Sequence, residues 1–140
     1  MRWVALSLIA VVAAVQTHAA TIQTRLIRAS DQTGVADPQL KELSAKLREQ
    51  FGYQNYHQLG AQTGSLKNKT TQQLKLGEGF AVTVTPKAVE KKVHEIALEW
   101  TSGKASLVKS TVKIAQGTHL FIKGPEVGND WIILSLSVKE

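Results

Sequence analysis

Apolar and polar residues alternate along most of the chain after residue 20, and this pattern predicts a protein built mainly from β-strands. Apolar side chains occupy every second position in residues 80–85, 91–100 and 131–138, the period of a strand with one buried face. The same reasoning predicts further strands over residues 20–30, 53–59, 71–76, 105–114 and 120–122. Polar or glycine-containing segments predict turns and loops at 60–68, 77–79, 101–104, 116–117 and 124–130. Pro86 is predicted to end the strand that begins at residue 80.

One segment departs from this alternation and predicts a helix over residues 38–51. Its apolar residues recur at helical spacing: Leu40, Leu43, Leu47 and Phe51. Asp37 is a favourable N-cap, and Pro38 suits the first helical position. Gly52 can adopt the left-handed conformation that ends a helix.

The connections after residue 70 are too short for helical crossovers, so we expect the strands to pair in an antiparallel way. We predict a mainly β protein of the α+β class, an antiparallel β-sandwich or partly closed barrel of about eight strands. The helix at 38–51 is expected to cover an open end. Because the chain is short, residues 20–140 should form a single β-rich domain. The absence of cysteine excludes disulfides and thiolate metal sites.

Residues 1–19 have the pattern of a secretory signal peptide. Arg2 precedes an apolar run from Val4 to Val15, and small side chains follow at Thr17 and Ala19. We expect cleavage after Ala19, with cleavage one residue later as the alternative. A retained membrane anchor is another alternative, but the run is shorter than the roughly 20 apolar residues that span a bilayer. The mature protein is therefore predicted to be periplasmic or secreted.

Three histidines remain after the predicted cleavage and are the main candidates for a metal or catalytic site. Together, His57, His94 and His119 could bind zinc and leave a position open for water, and His57 with Asp130 could serve a hydrolase. They lie on separate predicted strands, and no serine lies in a Gly-x-Ser-x-Gly motif. We therefore predict no catalytic residue, no metal and no cofactor, with a small exported hydrolase or metal enzyme as the alternative.

Two groups of residues are candidates for binding a partner. Tyr53 and Tyr56, followed by His57, form an aromatic segment, and aromatic rings stack on sugars or anchor protein interfaces. Lys91 and Lys92 form the second group. The formal net charge is +6, and the C-terminal half, to which these lysines belong, contains no arginine. Lysine without arginine disfavours sequence-specific recognition of nucleic acids but attracts anionic polymers and acidic proteins.

The segment Phe51-Gly52-Tyr53-Gln54-Asn55-Tyr56 follows a signal peptide, a strand and a capped helix. In this arrangement the chain resembles small, uncharacterised exported bacterial proteins to which no function is attached. The resemblance covers most of residues 20–140 and implies export. Residues 110–124 also resemble strand pairs of outer-membrane secretion channels, which implies a structural component of an envelope secretion assembly.

These observations favour an exported, non-catalytic binding or assembly module of the bacterial envelope or exterior. The expected partner is an envelope protein or an anionic polysaccharide, engaged through an exposed strand edge or through the lysine-rich surface. The mature chain is expected to contain no membrane span. The enzyme and the secretion-assembly component described above are the alternatives.

Overall fold

The computed structural model describes residues 20–67 and 69–140. The predicted signal peptide, residues 1–19, lies outside the described residues. In chain order the elements are β1 (Thr21–Ser30), a 3₁₀ turn (Pro38–Leu40), α1 (Ser44–Phe51), β2 (Asn55–Ser65), β3 (Gln72–Gly77), β4 (Phe80–Glu90), β5 (Val93–Ser102), β6 (Ala105–Ala115), β7 (His119–Val127) and β8 (Asp130–Lys139). Neither helical segment in these two ranges is long and apolar enough to cross a membrane.

The eight described strands form two four-stranded sheets that share one hydrophobic core. The strand order is β2-β1-β8-β7 in the first sheet and β3-β4-β5-β6 in the second, and all pairings are antiparallel. The described strands do not close into a barrel. The predicted mainly β fold, with about eight antiparallel strands and one covering helix, is confirmed.

Alternation along the strands places the core between the two sheets. In β8, Ile132, Leu134 and Leu136 face this core, as predicted, and are at most 1% exposed. In β5 the inward face includes Ile96 and Trp100, which are fully buried. Burying a large apolar side chain contributes roughly 1.5–3 kcal/mol. The inward faces of β5 and β8 therefore supply much of the stability of the fold.

The short helix covers the outer face of the first sheet, and the expectation that it covers an open end is wrong. Leu40, Leu43 and Leu47 are buried in a second apolar cluster with Ile27 and Ile133 of the sheet. These three leucines confirm the stripe predicted from helical spacing. Because the sheet has the core on one face and the helix on the other, β8 is buried on both faces.

The predicted helix over 38–51 is divided into a 3₁₀ turn and α1. Asp37 caps the turn, as predicted: its carboxylate accepts a hydrogen bond from the backbone N–H of Gln39 at 2.9 Å. It also accepts one from the N–H of Gln58 in β2 at 2.9 Å, and this bond is the main cause of its lowered pKa. Asp37 therefore ties the turn to the first sheet. Gly52, at a φ of 75°, ends α1 as predicted.

Three predicted strand boundaries are wrong because polar or glycine-containing segments belong to strands. Residues 60–65 continue β2, an edge strand that exposes polar side chains. Pro86 lies at a bulge inside β4 and does not end it. Residues 124–127 belong to β7, which has a bulge between Lys123 and Glu126. In each case pairing with a neighbouring strand extends the element beyond its apolar residues.

Candidate functional site

The predicted binding residues lie at two separate places in the fold. Tyr53, Tyr56 and His57 lie around the start of β2, next to the end of β1 in the first sheet. Lys91 and Lys92 form the turn between β4 and β5 in the second sheet. The structure does not bring the two groups together, so they form separate candidate sites.

Tyr56 has a structural role, contrary to its prediction as a binding residue. Its side chain is 5% exposed, and its hydroxyl donates a hydrogen bond to the carbonyl of Leu47 at 2.9 Å. The same hydroxyl accepts a hydrogen bond from the backbone N–H of Tyr53 at 3.0 Å. Burial raises the pKa of Tyr56. The side chain fastens the end of α1 to β2, and its ring is not accessible to a ligand.

Tyr53 belongs to a cluster with Lys123 and Trp131 that the sequence did not predict. The ammonium of Lys123 lies 4.0 Å from the ring centroid of Trp131 and 5.4 Å from that of Tyr53. Each of these cation–π contacts contributes about 0.5–1 kcal/mol at an exposed site. Tyr53 lies just before β2, Lys123 lies in β7 and Trp131 lies in β8. These positions are distant in sequence, and only the pairing of the strands brings the three side chains together. Since the lysine covers the Trp131 ring, the cluster stabilises the outer face of the first sheet.

The three histidines do not form a common site. His57 lies on β2 and His119 on β7, which are opposite edges of the first sheet, and His94 lies in the second sheet. His94 is 4% exposed, its ring is 3.2 Å from the amide of Gln116, and burial lowers its pKa. His119 stacks on the ring of Phe121. Among residues 20–67 and 69–140, no group of three or more His, Asp and Glu side chains is placed to hold a metal ion.

His57 and Asp130, which could together serve a hydrolase, have different partners. The amide of Asn55 lies 3.1 Å from the His57 ring. Asp130 accepts a hydrogen bond from the Nε of Arg28 at 2.6 Å, and this bond is the main cause of its lowered pKa. The carboxylate of Asp130 is therefore engaged in an ion pair that joins β1 to β8.

Lys91 and Lys92 form a turn with an unusual backbone. Their φ angles are 50° and 64°, in the left-handed region that costs residues with a β-carbon about 1 kcal/mol or more each. A two-residue hairpin with positive φ at both positions favours asparagine followed by glycine. Two lysines are therefore a locally unfavourable choice for this turn.

Replacing Lys91 with asparagine and Lys92 with glycine should raise the free energy of unfolding by about 1 kcal/mol, because the strain is relieved. Urea denaturation of the two proteins measures the difference. A variant with Lys91→Ala and Lys92→Ala loses the same charges but keeps a β-carbon at both positions, and it should gain no stability. An equal gain in the alanine variant would mean that charge repulsion, and not the backbone, destabilises the turn.

The Lys91–Lys92 turn lies at one end of the sandwich together with three other segments. The Lys92 carbonyl accepts a hydrogen bond from the N–H of Gln116, in the turn between β6 and β7, at 3.0 Å. In the same turn, the N–H of Gly117 donates a hydrogen bond to the carbonyl of Val138 in β8 at 3.0 Å. The start of β1 lies between Lys139 and the end of β2, where the chain enters the 66–71 loop. These segments therefore meet at the same end.

Six exposed lysines lie at this end, which we name the lysine-rich end. They lie in the 66–71 loop, in β4, in the β4–β5 turn and at the end of β8: Lys67, Lys69, Lys87, Lys91, Lys92 and Lys139. Glu90 and Glu95 line the same cavity as Lys91, and Glu140 follows Lys139, so fewer acidic than basic side chains lie there. The end therefore carries an excess of positive charge.

Lysines on the outer face of the second sheet do not add to this excess. Lys109 lies opposite Glu99, and Lys113 lies opposite Glu95, so cross-strand neighbours balance one another. The other end of the sandwich carries charges of both signs: Asp31, Glu78 and Glu126 with Lys104, and Asp130 paired with Arg28. The positive charge that the sequence spreads along the C-terminal half is thus concentrated at one end of the molecule.

No family model matches the chain, and no curated protein or solved structure matches it.

Proposed function

We propose that the chain is an exported, non-catalytic binding module that engages an anionic partner through its lysine-rich end. The observation that carries the proposal is the convergence of six lysines from four segments on one end of the sandwich. Two of them, Lys91 and Lys92, occupy a strained turn. Strained backbone conformations cluster at functional sites. In this protein the strained turn presents two positive charges at the tip of a hairpin.

The chemistry of lysine favours an extended anionic partner. Lysine is a compact, strongly hydrated charge on a flexible stem, whereas arginine grips a single phosphate or carboxylate in two-point geometry. The lysine-rich end contains no arginine. Such a surface attracts partners over a long range and loses strength as salt screens the charges. An anionic polymer, an acidic protein or the lipid headgroups of the bacterial envelope fit this behaviour.

The location outside the cytoplasm follows from the apolar run of residues 4–15 after a cationic start. A non-catalytic role fits the separation of the three histidines and the engagement of Asp130 by Arg28. The location outside the cytoplasm and the non-catalytic role are both parts of the proposal.

Reversing the charge at Lys91 and Lys92 (Lys91→Glu plus Lys92→Glu) should weaken binding to immobilised heparin, an anionic polysaccharide. Each lost contact between charges about 4 Å apart is worth about 1 kcal/mol in water, so the apparent affinity should fall about tenfold or more. Elution by a salt gradient and titration at fixed salt both measure the change. A fall in the elution salt concentration is the expected result.

A matched variant separates position from net charge. Lys75 in β3 and Lys104 in the β5–β6 turn are exposed and lie away from the lysine-rich end. Lys75→Glu plus Lys104→Glu changes the net charge by the same amount and should bind heparin much more strongly than the Lys91–Lys92 variant. If both variants elute together, only net charge matters and the proposed site is wrong.

A further inference from the structure

We infer that the lysine-rich end docks on a membrane surface that contains anionic phospholipid. The inference rests on the proposed function and names the anionic partner. Three further features favour a membrane over a polysaccharide or an acidic protein: an exposed apolar side chain at this end, the place where the chain enters the domain, and the position of Tyr53 and Trp131 at the opposite end.

The exposed apolar side chain is Val89, which is 59% exposed. It lies near the end of β4, two residues before the Lys91–Lys92 turn, and the neighbouring Ala88 is also exposed. The described residues include two other large apolar side chains that are exposed, Val35 and Val127, and neither lies at the lysine-rich end. Lys87, Lys91 and Lys92 lie within three positions of Val89 along the chain. An apolar residue close to several lysines fits the membrane interface, where apolar groups enter the acyl boundary and cations contact the headgroups.

The chain enters the domain at the same end. The carbonyl of Ala20 accepts a hydrogen bond from the N–H of Leu66 at 2.8 Å, which places Ala20 beside the loop that carries Lys67 and Lys69. Residues 1–19 join the domain at this point. The chain therefore enters the domain beside the lysine-rich end. After cleavage at the expected position, the new α-amino group adds a further cation there.

The aromatic rings that a polysaccharide would use lie elsewhere. Sugar rings stack on exposed aromatic faces, and the half-buried Tyr53 and Trp131 lie on the first sheet at the opposite end. The lysine-rich end instead offers separate cations on turns, a loop and strand ends. Such a surface can contact many separate lipid headgroups, and it is less suited to binding a single polysaccharide chain.

Vesicle sedimentation tests the inference, with protein expressed from the full sequence and its N-terminus determined by mass spectrometry. The protein should sediment with vesicles of phosphatidylcholine plus phosphatidylglycerol and not with phosphatidylcholine alone. Each lysine near an anionic surface contributes about 1 kcal/mol, or about fivefold in affinity. Lys91→Glu plus Lys92→Glu should therefore reduce partitioning roughly 25-fold or more, while Lys75→Glu plus Lys104→Glu should retain much more of it.

A second variant, Val89→Ser, keeps every charge and tests the apolar contact. It should reduce partitioning about fivefold, because an apolar side chain no longer enters the interface, and it should leave heparin binding unchanged. Equal binding to vesicles with and without phosphatidylglycerol would overturn the inference, as would equal losses in the two charge-reversal variants. Heparin binding without vesicle binding would overturn the membrane partner while the proposed function stands. Binding to neither would overturn both.

Discussion

Replacing Gly60 with alanine should destabilise the protein by about 3 kcal/mol, at the upper end of the cost of overpacking. Gly60 lies in β2, where the edge of the first sheet meets β3 of the second. A β-carbon at this position would lie well under 3.0 Å from the carbonyl oxygen of Leu76. Both partners are strand backbone, so neither can move without disturbing its own sheet. Urea denaturation followed by circular dichroism measures the loss.

Gly64→Ala is the matched control, since it makes the same change in the same strand. Its β-carbon would meet the side-chain oxygen of Gln72 at 3.0 Å and methyl groups of Ile22 and Leu74 at 3.3 Å. These contacts are longer than the one at Gly60 and involve side-chain atoms instead of strand backbone, so smaller shifts relieve them. The expected cost is below about 1 kcal/mol, the range of surface or mildly crowded substitutions. Equal losses in the two variants would contradict close approach of the strand backbones as the reason for Gly60.

Two of the predicted loops are wrong at their first residues, Gly60 and Gly124, because glycine has two different structural roles. The sequence pattern predicts loops that begin at Gly60 and Gly124, where glycine would supply conformational freedom. Both lie inside strands, and at both the missing β-carbon leaves room for another part of the protein. Close approach of backbone to its neighbours is the other use of a strand glycine, and it depends on distant residues that periodicity along the chain does not identify.

Elements that depend on local pattern were predicted well. The alternation in β5 and β8 gave the buried faces that contain Trp100 and Leu134, and the spacing of Leu43 and Leu47 gave a buried helical stripe. The surface that the helix covers was not predicted. Leu43 and Leu47 indicate that a partner exists, but the partner, Ile133, lies on the face of β8 opposite to its predicted core face.

In the candidate site, too, features that depend on neighbouring residues in the sequence could be predicted, and features that depend on tertiary contacts could not. Lys91 and Lys92 were identified from the sequence because they are adjacent. Their proximity to Lys67 and Lys139 depends on strand register and on the hydrogen bonds of the β6–β7 turn. Tyr56 was predicted to bind a ligand because aromatic rings do so when exposed, and its burial follows from packing against α1.

Gly124→Ala should destabilise the protein by about 2–3 kcal/mol because the new β-carbon would overlap the indole of Trp100. Gly124 in β7 faces the far edge of that ring, and a β-carbon at this position would lie well under 3.0 Å from its Cη2 atom. Trp100 is fully buried and packs against Phe80 with ring centroids 6.1 Å apart. The ring therefore has no space into which it can move. Thermal and urea denaturation measure the loss.

Trp100→Phe should remove most of the cost of Gly124→Ala, since a phenyl ring does not reach the position of the clash. The single variant Trp100→Phe loses core volume, but it also removes an indole N–H that is buried without a hydrogen-bond partner among the described residues. An unsatisfied buried donor costs about 1–3 kcal/mol, which offsets part of the lost packing. The double variant should therefore be much more stable than the sum of the two single losses predicts, with a coupling energy of about 1.5–2 kcal/mol. Additive losses would mean that Gly124 is required for the bulge in β7 and not for room beside Trp100.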